Sequence, residues 1–169
     1  YEPIWQQGGA FPYPTSAQTV NIVSTSANDD ATNVGVREVR VEYLDDNFVT
    51  NIVDVELDGT NSVQVATDFF RIQNMQAIQV GANNDAEGNI TLAYGANVVA
   101  KIPTGGNEAK NSFYTVPAGY TAYITGASLS ASKGGDLAFL LEVRDATDAN
   151  APFVAGNQLD IFEEGIYFD

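Results

Sequence analysis

The chain has 169 residues, with 22 acidic against 7 basic side chains, a formal charge of −15, and neither His nor Cys. That composition excludes a Ser-His-Asp triad, a thiol nucleophile, zinc-finger, haem and iron–sulfur ligation, and any disulfide. Three Lys and four Arg are too few to neutralise a phosphate backbone, and the acidic surface repels both nucleic acid and anionic membrane. The 44% hydrophobic content is that of a chain which buries a core. No apolar run approaches the ~20 residues of a membrane span. No basic segment followed by an apolar one opens the chain as a signal peptide would, and with Tyr1 rather than Met at its start, residues ahead of it are expected, removed by processing or left out of the numbering.

In chain order, residues 1–17 come first, with Pro3, Pro12, Pro14 and a Gly8-Gly9 pair. Prolines remove backbone donors and push the preceding residue toward extended geometry, so this segment reads as an extended N-terminal arm. Ile4, Trp5, Phe11 and Tyr13 are spread through it without helical spacing. Left in water they would forgo apolar burial, so they are expected to dock on a neighbouring subunit or a shell protein. The alternative is an arm folded back on its own domain.

Residues 18–169 read as one domain of strands. Val20 and Ile22 mark the first, followed by a loop dense in turn formers that includes Asp29-Asp30. Val39, Val41 and Tyr43 then alternate with Glu38, Arg40 and Glu42, and Val53, Val55 and Leu57 alternate with Asp54 and Glu56. Period two with charge on the opposite face describes half-buried antiparallel strands. Leu44-Asp45-Asp46-Asn47-Phe48 joins them as a hairpin turn, and Asp58-Gly59-Thr60-Asn61 makes the next one. Apolar runs at 62–72, 75–80, 89–94, 97–102, 112–116, 120–130, 137–144 and 159–168 follow at spacings typical of sandwiches and barrels. Pro117-Ala118-Gly119 is expected to turn one strand into the next, Gly119 taking a positive φ. With no helical stripe and no fixed repeat, the fold class is all-β: an antiparallel β-sandwich, jelly-roll-like, with the extended arm.

Several groups could carry chemistry. Asn83-Asn84-Asp85-Ala86-Glu87-Gly88-Asn89 places oxygens at alternate positions before a Gly, as a calcium loop does, but Tyr94 stands where the bidentate Glu belongs. A turn between strands is the plainer reading, and Ca²⁺ is kept only as an alternative. Asp29-Asp30 and Asp45-Asp46 read as solvated loop tips. Glu38 with Glu42, or Asp54 with Glu56, could supply the two carboxylates of a glycosidase. Each pair lies where solubility places charge, so no enzyme activity, no metal and no cofactor are expected. Tyr114, Tyr120 and Tyr123 could stack on sugars, although aromatics in a small sandwich more often fill a core or an interface.

The order Ile4-Trp5-Gln6-Gln7-Gly8-Gly9, Phe11-Pro12, Ile22-Val23-Ser24, Ser26-Ala27-Asn28-Asp29, Gly35 to Val41, Leu57-Asp58-Gly59-Thr60, Arg71-Ile72 with Met75, Glu87-Gly88-Asn89-Ile90 and Val116-Pro117-Ala118-Gly119 resembles a family of virion proteins of tailed phages common in the sea. The resemblance runs from Ile4 to about Ile124 and rests on turn and core residues. It implies a structural role on the exterior of the particle, as a capsid decoration or cement protein or part of a head-associated assembly. The implied partners are copies of itself, with a homotrimer the expected assembly, and the major capsid protein or other virion proteins. It brings no catalytic residues. A receptor-binding or lectin-like glycan-binding module is the alternative.

Overall fold

Strict alternation of Val39, Val41 and Tyr43 with charged residues produces the central hairpin of the fold. In the computed structural model, which describes residues 5–123, 137–143 and 154–161, β2 (Val36–Leu44) and β3 (Thr50–Glu56) pair antiparallel in unbroken register, Val41 opposite Val53 and Val39 opposite Val55. Val39, Val41, Tyr43, Val55 and Leu57 are buried and Val53 is partly so. At the turn, Asp45 Oδ1 accepts the amides of Asn47 and Val49, each at 2.9 Å. Phe48 takes the positive φ there, at 59°, a conformation that costs a bulky residue energy unless its surroundings hold it.

The remaining strands of the main unit are β1 (Gln18–Ser24), β4 (Val63–Phe69), β5 (Arg71–Val80), β6 (Ile90–Tyr94) and β7 (Asn97–Ile102). They form two antiparallel sheets, β4-β1-β6-β7 and β3-β2-β5. Val20, Ile22, Phe69, Ile90, Leu92 and Ile102 of the first sheet meet Val36, Val39, Val41, Ile72 and Met75 of the second in one apolar core. This is a β-sandwich of four and three strands, one short of the eight in a full jelly roll. The apolar run 62–72 is not one strand. It breaks at Phe70, where the chain leaves β4 in one sheet and enters β5 in the other, as corner strands of sandwiches do.

The expected strand over 112–116 is absent: those residues run without regular strand pairing. The turn after it is present, with Gly119 at φ 80° and Tyr120 N–H donating to Pro117 C=O at 3.2 Å. The chain divides into two units at Tyr120–Thr121, so the single domain expected over 18–169 ends early and the arm belongs with the sandwich. The second unit contains an antiparallel hairpin of β8 (Leu137–Val143) and β9 (Val154–Ile161). Most of the expected strands 120–130 and 159–168 lies outside the described residues.

Candidate functional site

The arm folds back on its own sandwich. Trp5 and Phe11 are buried in the core, with ring centroids 5.0 Å apart, and Phe11 meets Tyr13 at 4.7 Å and Phe113 at 4.3 Å. Trp5 Nε1 donates to Gly9 C=O at 2.8 Å, which closes the Gly-Gly turn. Tyr94 donates its hydroxyl to Pro12 C=O, and Arg71 donates to Pro14 C=O, both at 2.8 Å. Burial pushes the Tyr94 phenol above its ordinary value. The Arg71 guanidinium is itself buried and lies 3.8 Å from the Phe70 ring centre, a cation–π contact that helps hold a charge out of water. Trp5 and Phe11 are therefore not free to anchor a neighbour. Burial on the chain's own core is the nearer way to remove apolar surface from water. Tyr13 packs partly buried against that core, and Ile4 lies outside the described residues.

Beyond the arm, residues 112–120 run as a strap along the end of the three-stranded sheet. The Gln73 side chain, on β5, donates to Thr115 C=O at 2.6 Å and accepts the Thr115 amide at 3.3 Å. Ala118 N–H then reaches Phe48 C=O in the β2–β3 turn at 2.9 Å. The Phe48 ring meets Phe70 edge-on at 5.5 Å, and this packing together with the bond to Ala118 holds Phe48 in its left-handed conformation. The strap and turn together carry large apolar side chains into solvent: Tyr114 is 65% exposed, Tyr120 76% and Val49 52%, with Ile52 of β3 at 59%. Tyr123, in the second unit, is 84% exposed. These exposed aromatic and aliphatic side chains on a held backbone make the strap and turn the candidate contact surface.

The candidate carboxylates differ in their surroundings. Asp54 pairs with Arg40 across the hairpin through two hydrogen bonds of 2.7 and 2.8 Å, and the Arg40 hydrogen bond holds its carboxyl below the ordinary value. A glycosidase acid needs the opposite shift. Glu38, Glu42 and Glu56 lie on the solvent side of the same hairpin. Asp30 accepts the Thr32 amide and hydroxyl, which lowers its pKa.

Asp29 is different, and the expectation of a solvated tip fails there. It is fully buried. Its carboxylate accepts Ser24 Oγ at 2.5 Å, Val36 N at 3.0 Å, Glu87 N at 2.9 Å and Gly88 N at 2.9 Å. One side chain thus ties the end of β1, the start of β2 and the 83–89 loop together. In that loop Glu87 also accepts Asn83 Nδ2 at 2.6 Å, while Asn89 Oδ1 accepts the Thr104 amide at 3.3 Å. These oxygens organise turns.

A cleft of about 540 Å³ opens beside the 103–110 segment, lined among others by Gln6, Gln76, Asn107, Glu108 and Lys110. It offers amides and one charge of each sign to a visitor. The sequence missed Asp29, Val49 and Ile52. For Ile52 a signal existed: it is the one large apolar residue on the outward register of β3, beside Asp54 and Glu56. No family model, curated protein or solved structure matches this chain.

Proposed function

We propose that the protein is a non-enzymatic structural component of a tailed-phage particle, which decorates or cements the capsid or joins a head-associated assembly. The observation that carries this reading is the strap and turn, where Tyr114, Tyr120 and Val49 stand in solvent on a backbone pinned by Gln73 and Phe48. Such side chains gain about 1.5–3 kcal/mol each when fully buried at an interface, and Tyr serves as a rigid anchor there. The sequence resemblance supplies the context. Partners in this reading are further copies of the chain and the shell proteins of the particle. The test is incorporation. Particles assembled with Tyr114→Ser and Tyr120→Ser together should lose the protein, while the isolated variant melts as the wild type does. Normal incorporation of that variant would refute the role given to the strap.

The exposure of Tyr114 and Tyr120 on the main unit favours a second reading, a glycan-binding module in which rings stack on sugar faces. Binding on a glycan array that disappears with Tyr120→Ser would establish it in place of the first.

A further inference from the structure

The sandwich manages its sheet edges unequally. The free side of β5 is covered by the chain itself: Ala77 N–H donates to Asn107 C=O at 2.7 Å and Ala109 N–H to Met75 C=O at 2.9 Å. β4 pairs with β1 through an irregular register, and bulged edges resist further pairing. β3 has neither protection. It pairs with β2 alone among the described residues, over seven successive positions with no bulge.

Its outward groups can be identified. Leu57 N–H donates to Arg37 C=O at 2.8 Å, and Val49 C=O accepts Asp45 N–H at 3.1 Å. Both fix the odd-numbered positions as those bonded to β2. In an antiparallel ladder bonded and non-bonded positions alternate, so Thr50, Ile52, Asp54 and Glu56 turn their N–H and C=O groups toward the open edge. The side chains of the same four residues are exposed on the outer face.

The geometry points to this edge as a strand-addition site for a basic, extended segment of a different protein. Charge decides the occupant. Asp54 and Glu56 stand at alternate outward positions, Glu38 and Glu42 face solvent on the neighbouring strand, and the chain carries −15 overall. A second copy of β3 would bring a strand of the same net negative charge against this one, which destabilises strand pairs, whereas Lys or Arg two residues apart would meet Glu56 and share Asp54 with Arg40 of β2. An apolar side chain two residues further along would cover Ile52, 59% exposed at the centre of the edge. Backbone bonds supply affinity in such additions and alternate side chains supply selectivity.

This inference rests on the reading of the protein as a docking component of a particle, and it names the chemistry of one partner. The probe is a short synthetic peptide, Lys-Val-Lys-Val-Val-Val, whose residues 1, 3 and 5 put two Lys and then a Val on one face, with Glu in place of both Lys in its counterpart. Titration into the wild-type protein should shift the amide resonances of Ile52, Asp54 and Glu56 and slow their hydrogen exchange. The Glu peptide should leave them unchanged. Ile52→Pro removes an outward N–H that the fold does not use, so melting should stay close to wild type while peptide affinity falls by at least about tenfold, or 1.4 kcal/mol. Glu56→Lys, at an exposed position, should weaken the Lys peptide and favour the Glu peptide even if the proline variant misfolds. Equal response to the two peptides, response elsewhere on the surface, or none at all overturns the inference. Absence of peptide binding beside normal incorporation into particles overturns the edge site alone. Peptide binding by a protein that particles exclude supports the edge and removes the particle reading.

Discussion

Replacing Asp29 with Ala tests whether one buried carboxylate holds the loop end of the sandwich. The change removes the acceptor for Ser24 Oγ and for the amides of Val36, Glu87 and Gly88. The hydroxyl can turn elsewhere, but the three amides are fixed by the backbone around them. A buried donor left unpaired costs about 1–3 kcal/mol, so the gross loss is about 3–9 kcal/mol. Water entering the vacated space returns part of it, and a net loss of about 3–5 kcal/mol is expected, comparable with the whole stability of an ordinary domain. Asp29→Asn should fall between, at about 1–3 kcal/mol, because one oxygen still accepts while the new amide faces a donor. Asp30→Ala, one residue along, removes bonds only to Thr32 and should be nearly silent. Urea unfolding followed by circular dichroism reads all three. An Asp29→Ala loss below about 1 kcal/mol, less than one unpaired donor costs, would refute the account of how these loops are held.

Phe11→Ala should destabilise the sandwich by about 3–5 kcal/mol in thermal melts, and deleting residues 5–15 should unfold it, since Trp5 and Phe11 lie in the core. Gly35→Ala should lower the melting temperature markedly, because the added methyl would run into Asp29 Oδ1 and approach Asn28 C=O at 2.9 Å. Val41→Asp, buried between Val53 and Met75, should cost several kcal/mol as an unpaired buried charge, while Glu42→Lys on the other face should melt like wild type. Burial first, and then the hydrogen bond to Asp68, pushes the Tyr43 phenol from 10.0 up to about 12. A raised folded-state value means that the contribution is complete below pH 10 and is lost as pH rises from 10 toward about 12; alkaline denaturation should show this loss, and Tyr43→Phe should remove it.

Much of the sandwich was legible because its hairpins follow period two without interruption. Val39 to Tyr43 and Val53 to Leu57 take the faces that alternation requires, and Asp58-Gly59-Thr60-Asn61 and Pro117-Ala118-Gly119 turn where their residues dictate. What was not legible depends on partners distant in the chain. The arm looked like a free strap because nothing local shows that Phe113 waits for Phe11 or that Arg71 and Tyr94 receive Pro14 and Pro12. Asp29 and Asp30 are indistinguishable as turn formers, and only the approach of Val36 and Gly88 turns the first inward. The break at Phe70 escapes periodicity for a similar reason. Its apolar run is continuous, and the change of sheet there is a property of the packed fold. Of the candidate contact surface, Tyr114 and Tyr120 could be named beforehand, whereas Val49 could not, because the bond from Ala118 to the Phe48 carbonyl beside it joins residues distant in the chain.

The most direct test of the structural reading is a density map of the native particle, searched for this sandwich. The account predicts the domain at regular positions on the particle exterior, with Val49, Tyr114 and Tyr120 against a neighbouring protein and the arm folded on its own core. A particle that lacks the chain, or one in which those side chains face open solvent at every copy, would contradict it.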